Sequence, residues 1–456
     1  MRGSLAQLQT YVEGSSVTAD AVFDSVSTDS RTAKAGALFV ALRGETFDAH
    51  DFLAQVAANG AAAVVAERLP EGWTLPALVV PDTLAALGRI ANSWRRQYDI
   101  PVIGVTGSNG KTTVKEMIAA ILAAAFGLDA RLATQGNLNN EIGVPLTLMR
   151  LDAAHRAAVV ELGMNHPGEI ARLAAIAQPT VALVNNAQRE HQEFMHTVEA
   201  VAQENGSVFA ALPPDGVAVY PGDDTYTGLW QGLAAHCRSL TFGLHDSCDV
   251  RASWTSSGFG NNLKVTAPGA SFEVKLAAAG EHNVRNALAA IACALAAGIA
   301  PGTIVRGLEG FAPVGGRLQR KQAANGATVI DDTYNANPDS MRAAIDVLAA
   351  YPAPRFLVIG DMGEVGTQGR EFTEEIGAYA QARGIETVLA TGELSRHLAN
   401  SGAQYFEQFE ALLAALDKQL GGNSDATVLV KGSRFMKMER VVNHLIGSTN
   451  TGKDAH

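Results

Sequence analysis

Cysteine is nearly absent from this chain: three residues in 456, Cys237, Cys248 and Cys293, with no Cys-x-x-Cys pair among them. That pattern excludes a disulfide framework and a thiolate zinc site, and leaves incidental thiols suited to a reducing compartment. Positive charge is in short supply too. Lys plus Arg number 35 against 46 Asp plus Glu, a net −11, and no long basic run occurs. This argues against a nucleic-acid partner held by phosphate attraction, while leaving room for a local positive pocket. Long apolar runs are also missing. The most lipid-like stretch, 287–297, falls well short of the ~20 residues a membrane span requires. The first sixteen residues hold no apolar core of a signal peptide. A soluble, cytoplasmic chain without membrane insertion is expected. No internal repeat is visible, and low complexity is confined to the polar end, 448–456.

What remains is ample apolar material. Apolar residues make up 47% and charged residues 18%, enough for several buried cores and too little charge for a disordered chain. At about 150 residues per domain the length suggests three domains. Short β-branched runs at 62–65, 102–105, 157–160, 181–184, 356–359 and 428–430 alternate with Ala-rich helical patterns. Such alternation predicts α/β units around mostly parallel sheets. Breaks near 81–82 and 312–316 divide the chain into a small N-terminal α/β domain (1–82), a central domain (83–312) and a C-terminal domain (313–456). The polar stretch 246–272 reads as a β-rich insertion.

One motif carries most of the chemistry. The run 102–113 is a strand followed by Thr106, Gly107, Ser108, Asn109, Gly110, Lys111, Thr112 and Thr113. Beyond it Val114, Met117, Ile118, Ile121 and Leu122 recur with the spacing of one buried helix face. The loop therefore opens a helix, where free N–H groups and the dipole favour a phosphate. Gly107 and Gly110 let the backbone approach the anion, Lys111 can reach the β/γ-phosphates, and the Thr112 hydroxyl can ligate Mg²⁺. The general phosphate-binding loop has Gly where Val105 stands. The alternative is a plain glycine-rich connector.

Mg²⁺ requires hard oxygen ligands beside the phosphates. Glu161 ends the strand run at 157–160 on the edge that faces the ligand crevice of an open α/β sheet; position alone also allows a surface carboxylate. His191 follows the next strand, where it could meet a metal or a phosphate, although a lone loop histidine more often does neither. Asn283 opens a helical pattern as either an N-cap or a base reader. Asn337 can cap a helix with Pro338 at its first position. That leaves Asp331, Asp332, Tyr334 and Asn335 packed beside them, a polar density suggestive of a site.

These motifs together resemble the Mur ligase family, the ATP-dependent amino-acid ligases of peptidoglycan precursor synthesis. The resemblance rests on TGSNGKTT (106–113), STDSR (27–31), LFVALRG (38–44), GNLNN (136–140) with GVPLT (143–147), HNVRNA (282–287), DTYNANP (332–338) and GDMGE (360–364), in family order along nearly the whole chain. It implies an N-terminal domain for the UDP moiety, a central P-loop ATPase and a Rossmann-like C-terminal domain that closes over the nucleotide. The implied activity is ligation of D-Ala-D-Ala to UDP-MurNAc-tripeptide through an acyl phosphate, using ATP and Mg²⁺, by a monomer. By matching position, Lys111 and Thr112 serve phosphate and Mg²⁺. Glu161 holds the first Mg²⁺ and His191 the second. Asn283 faces adenine, and Arg317 with Asp331 or Asp332 reaches ATP from the last domain. Ser30, Arg31, Asn137 and Asn139 correspond to contacts with the UDP-sugar, and Asn335 and Asn337 lie where the incoming dipeptide is expected.

Two positions depart from the family pattern. A lysine carbamylated by CO₂ usually follows the metal histidine, and here that position is Asn205, neutral and a weaker ligand. The second metal site then lacks an anionic donor, or Asn205 reaches it through water. Ala49 stands where an FDGH-like stretch has Gly. Rival readings are another ligase of this architecture, such as the diaminopimelate- or lysine-adding step or folylpolyglutamate synthesis, and a nucleotide-dependent switch without ligase chemistry. The amino-acid-adding ligases carry a DNPR-like motif, whereas the corresponding loop here reads DDTYNANP.

Overall fold

The computed structural model describes residues 1–44 and 46–447. Three mixed sheets follow one another along the chain. Five strands form the first, in the order Ser16–Val17, Ala77–Val79, Ala63–Ala66, Ala37–Val40, Ser25–Ser27, parallel except at the first pair. The Ala37–Val40 strand is buried on both faces: Leu38 and Val40 enter one core and Phe39 the other. Strands of that kind read as continuous apolar runs rather than alternating ones.

The middle sheet has nine strands. Val102–Thr106 lies third from one edge, between Ala157–Glu161 and Val181–Val184, and all three are parallel. After Val102–Thr106 the chain runs out to the edge strand Arg131–Ala133, returns through Ala157–Glu161 and then crosses to Val181–Val184 on the other side. This change of direction opens a crevice at the carboxyl ends of the strands. The polar stretch at 246–272 forms the antiparallel strands Val250–Ser257, Gly260–Ala267 and Ala270–Leu276 at the far edge. Helix Thr83–Arg95 ties the first two sheets together. Leu87, Ile90 and Ala91 share a core with Leu38 and Val65 on one side and Leu173 on the other. The indole N–H of Trp94 donates to the Leu151 carbonyl at 3.0 Å, and buried Arg95 donates to the carbonyls of Ala177 and Gln178, both at 3.2 Å.

Six strands form the last sheet: Gln319–Gln322, antiparallel at the edge, then Thr328–Asp332, Thr427–Lys431, Arg355–Ile359, Thr387–Ala390 and Gln404–Tyr405, all parallel. Helices cover both faces, with Met341, Ile345, Phe372 and Ile376 on one and Leu412, Leu416, Val441 and Val442 on the other. Among the described residues no helix is long and apolar enough to cross a membrane.

Candidate active site

A cleft of about 910 Å³ opens where the carboxyl ends of Val102–Thr106 and its two neighbours face the last sheet. Its floor is the loop that follows Val102–Thr106. Gly107 has φ +131°, and a Cβ there would stand 3.0 Å from the backbone nitrogens of Asn185 and Asn186. At Gly110, φ is +81°, and a Cβ would meet the Asn286 carboxamide oxygen and come within 2.8 Å of Asn185 Nδ2. Both positions need glycine for conformation and for space. The Asn109 N–H donates to Asn186 Oδ1 at 2.8 Å, and the Asn109 carbonyl accepts from the carboxamides of Asn185 and Asn186 at 2.7 and 2.9 Å. So held, the loop enters helix Lys111–Phe126, whose start carries no side-chain cap and no acidic residue in its first turn. The first N–H groups and the positive end of the dipole are left facing the cleft, an anion site by construction.

Lys111 Nζ folds over this loop, donating to the carbonyls of Gly107 and Ser108 at 2.5 and 3.1 Å and lying 3.3 Å from Glu190 Oε2. Glu161 is 2% exposed and closes the strand as expected from position. Its Oε1 accepts from the Thr112 hydroxyl at 3.2 Å and from Asn139 Nδ2 at 2.9 Å, while Oε2 is buried without a partner. An isolated carboxylate oxygen in that situation is costly unless a cation meets it. His191 adopts φ +47°; its Nδ1 lies 2.6 Å from Glu364 Oε2 of the last domain and its Nε2 3.7 Å from Glu190 Oε2. The imidazole beside it holds the Glu364 carboxyl below the usual carboxylate range.

From the last domain, Arg317 Nη2 donates to the Thr112 hydroxyl at 3.0 Å, and its guanidinium lies 4.0 Å over the Tyr334 ring. Asn337 caps helix Pro338–Ala349 in a reciprocal box with Ser340, and its Nδ2 donates to Asn109 Oδ1 at 2.9 Å. Asn137, Asn139, Asn335 and Thr113 also line the cleft.

Several expectations change. Asp331 and Asp332 are consecutive on one strand, so they point to opposite faces. Asp332 lines the cleft, paired with buried Lys431 at 2.6 Å. Asp331 does not line it; it pairs with Lys321 at 2.7 Å and accepts from the Thr333 hydroxyl at 2.7 Å. Asn283 is not the cap of its helix, because that place is taken by Gly280. Its Nδ2 instead donates to the Ala279 carbonyl at 2.8 Å and its Oδ1 accepts from Asn286, on the cleft wall. Ser30 and Arg31 lie on the first domain and do not line the cleft; Arg31 is exposed and forks onto Asp29, with Nη2 2.7 Å from Oδ2. Asn205 is fully buried below the loop: its Oδ1 accepts the Thr106 hydroxyl at 2.6 Å, and it does not line the cleft. Glu190 carries no motif that marks it in the sequence. It is buried on the cleft wall with Oε1 unpartnered, and its only signal is its place between Arg189 and His191.

The donor set fits a nucleotide with Mg²⁺. Two buried carboxylates, Glu161 and Glu190, each keep an oxygen unpaired beside a lysine and a threonine hydroxyl. Among the described residues no three His, Cys, Asp or Glu side chains are gathered closely enough to hold a metal unaided. That suits Mg²⁺, which takes one or two carboxylates and fills its shell with water and phosphate oxygens.

Three α/β domains, with a phosphate-binding loop closed over by the third, define a nucleotide-dependent enzyme whose site is completed at a domain junction. The Mur ligase family catalytic-domain model matches residues 22–95, the middle-domain model 105–294 and the glutamate ligase domain model 316–434. The chain belongs to the Mur ligase family, and it is an ATP-dependent ligase. It is 40% identical to UDP-N-acetylmuramoyl-tripeptide–D-alanyl-D-alanine ligase of Escherichia coli K12, over 97% of this chain and 98% of that protein. A crystal structure of MurF from Acinetobacter baumannii superimposes with a TM-score of 0.92 at 36% identity, covering 98% and 99% of the two chains. MurF ligase from Thermotoga maritima, in complex with ADP, gives 0.84 at 27% identity, covering 93% and 97%.

Proposed function

We propose that this chain joins the terminal carboxylate of UDP-MurNAc-tripeptide to the amino group of D-Ala-D-Ala, with cleavage of ATP to ADP and phosphate. The observation that carries the reading is the uncapped helix start with Lys111, faced by Glu161 and Thr112 and met by Arg317 from the third domain. The names of the relatives and the ADP held by the Thermotoga maritima enzyme support the substrates.

Joining a carboxylate to an amine in water requires activation. A carboxylate oxygen of the tripeptide attacks the γ-phosphorus, the bond to the bridging oxygen breaks, and ADP leaves, giving an acyl phosphate. The uncharged amine of the dipeptide then attacks the acyl carbon, phosphate departs, and the amine loses a proton. The first step brings two anions together in an acidic chain, so positive charge must be supplied locally. Lys111 and the helix N-terminus are preorganised to supply it, and Arg317 adds a cation as the domains meet. Glu161 and Thr112 would hold Mg²⁺, with His191 and Glu190 at a second position; the ion would neutralise phosphate charge. Asn137 and Asn139 would meet the UDP-sugar peptide, and Asn335 and Asn337 the incoming dipeptide; all four line the cleft. Ser30 and Arg31, on the first domain, would bind the nucleotide end of the UDP substrate. The test is to incubate the protein with ATP, Mg²⁺, UDP-MurNAc-tripeptide and D-Ala-D-Ala and to weigh the product. A mass equal to both substrates less one water is expected, with phosphate release requiring both. Release indifferent to both would favour a nucleotide switch.

A further inference from the structure

The loop after Val181–Val184 is gripped from two sides. Toward the phosphate loop, Gln188 Oε1 accepts from Asn109 Nδ2 at 2.6 Å, the Gln188 N–H donates to the Ser108 hydroxyl at 2.8 Å, and Glu190 faces Lys111. Arg189, between those two residues, turns the other way. Its Nη2 lies 2.7 Å from Asp339 Oδ1 and its Nη1 2.7 Å from Glu375 Oε2. The Arg189 backbone N–H donates to Asp339 Oδ2 at 2.9 Å, and the guanidinium sits 5.3 Å from the centre of the Phe372 ring. Arg342 donates to Glu375 at 2.9 Å, so two cations and two anions close a neutral quartet. Asp339 lies in the first turn of Pro338–Ala349, the helix whose cap Asn337 touches Asn109; Glu375 lies on helix Gly369–Ala382.

One residue of a phosphate-facing loop therefore holds two helices of another domain. Contacts between domains of one chain are by default mobile unless the interface is large and apolar, and here they are polar. Isolated surface ion pairs contribute little. This one differs in being half-buried, shared between two carboxylates and backed by an aromatic face, a geometry that the planar fork of arginine fits and lysine does not. We propose that Arg189 is a positioning residue, a clasp that docks the third domain on the 185–191 loop, which Asn185, Asn186 and Gln188 already tie to the phosphate loop within the middle domain. Opening the clasp frees Asn337 from Asn109 and Arg317 from Thr112 together, while the phosphate loop, built within the middle domain, keeps its shape.

The clasp rests on the ligase reading for its effect on turnover and on geometry alone for its effect on shape, and the experiment reads both. Small-angle scattering, ADP titration and turnover are measured on the full chain and on Arg189→Ala, Arg189→Lys and the pair Asp339→Asn with Glu375→Gln, each first shown to melt cooperatively. All three variants should be more expanded than the parent and roughly tenfold or more slower, with ADP affinity kept within about twofold. High salt should expand the parent more than Arg189→Ala, which has already lost the Arg189 pairs and keeps the His191–Glu364 contact between the domains. Adding Arg189→Ala to the acidic pair should cost little more, since all three residues act as one unit. Parent-like compactness with parent-like turnover in Arg189→Ala would overturn the clasp, as would additive effects of the three substitutions. ADP that fails to bind the parent would instead count against the nucleotide reading.

Discussion

Gly110→Ala places a single methyl group at the most crowded point of the phosphate loop. The residue sits at φ +81°, where an L side chain costs about 1–2 kcal/mol. The added Cβ would also meet the carboxamide oxygen of Asn286 and crowd Asn185 Nδ2, the two groups joined by a 2.9 Å hydrogen bond. Losing that bond adds about 1 kcal/mol. The chain can avoid the strain only by moving the turn, which displaces the N–H groups at the start of Lys111–Phe126. A cost of about 2 kcal/mol expressed at the ligand corresponds to roughly thirtyfold weaker nucleotide binding. The global fold should persist, because the cores on either side of this turn are untouched. Calorimetric titration with ADP and thermal melting read the two effects separately. Binding within about twofold of the parent would show that the turn does not hold the phosphates.

Lys111→Ala removes the lysine that folds over the loop and should lower kcat by orders of magnitude with melting unchanged; near-parent turnover in a phosphate-release assay would contradict its role. Because Asn205 is neutral and bonded to Thr106, activity should be indifferent to added bicarbonate; stimulation would mean a carbamate forms elsewhere. Arg189 and His191 hold the carboxyls of Glu375 and Glu364 below their ordinary value. A depressed carboxyl contributes stability above its unfolded value, about 4.3, and loses it as pH falls through the lower folded value. The melting temperature should therefore change little between neutrality and about pH 5 through these groups and fall below that, less steeply in Glu375→Gln; identical acid limbs in variant and parent would remove this contribution.

How much is legible in the sequence follows from how local each determinant is. The phosphate loop declares itself because its glycines, its lysine and the helical face behind it lie within about two dozen consecutive residues. Doubly buried parallel strands such as Val102–Thr106 and Val181–Val184 stand out as unbroken apolar runs. Their spatial order does not, because it depends on crossovers. The edge strand Gln319–Gln322 is polar and exposed on alternate residues, so nothing apolar announces it. Strand alternation along Thr328–Asp332 is enough to separate Asp332 from Asp331, since neighbours on a strand cannot both face one cleft. Glu190 and Arg189 cannot be resolved that way. The Glu190 carboxylate acquires meaning from Lys111, brought beside it by the middle sheet, and the Arg189 guanidinium from Asp339 and Glu375, which meet it only once the domains pack.

The most direct test is a crystal structure of the protein with a non-hydrolysable ATP analogue and Mg²⁺. β- and γ-phosphate density is expected at the start of helix Lys111–Phe126, within hydrogen-bond reach of its first N–H groups and of Lys111 Nζ, with metal density beside Glu161 and Thr112. A nucleotide seated elsewhere, with the 107–113 turn empty, would contradict that placement.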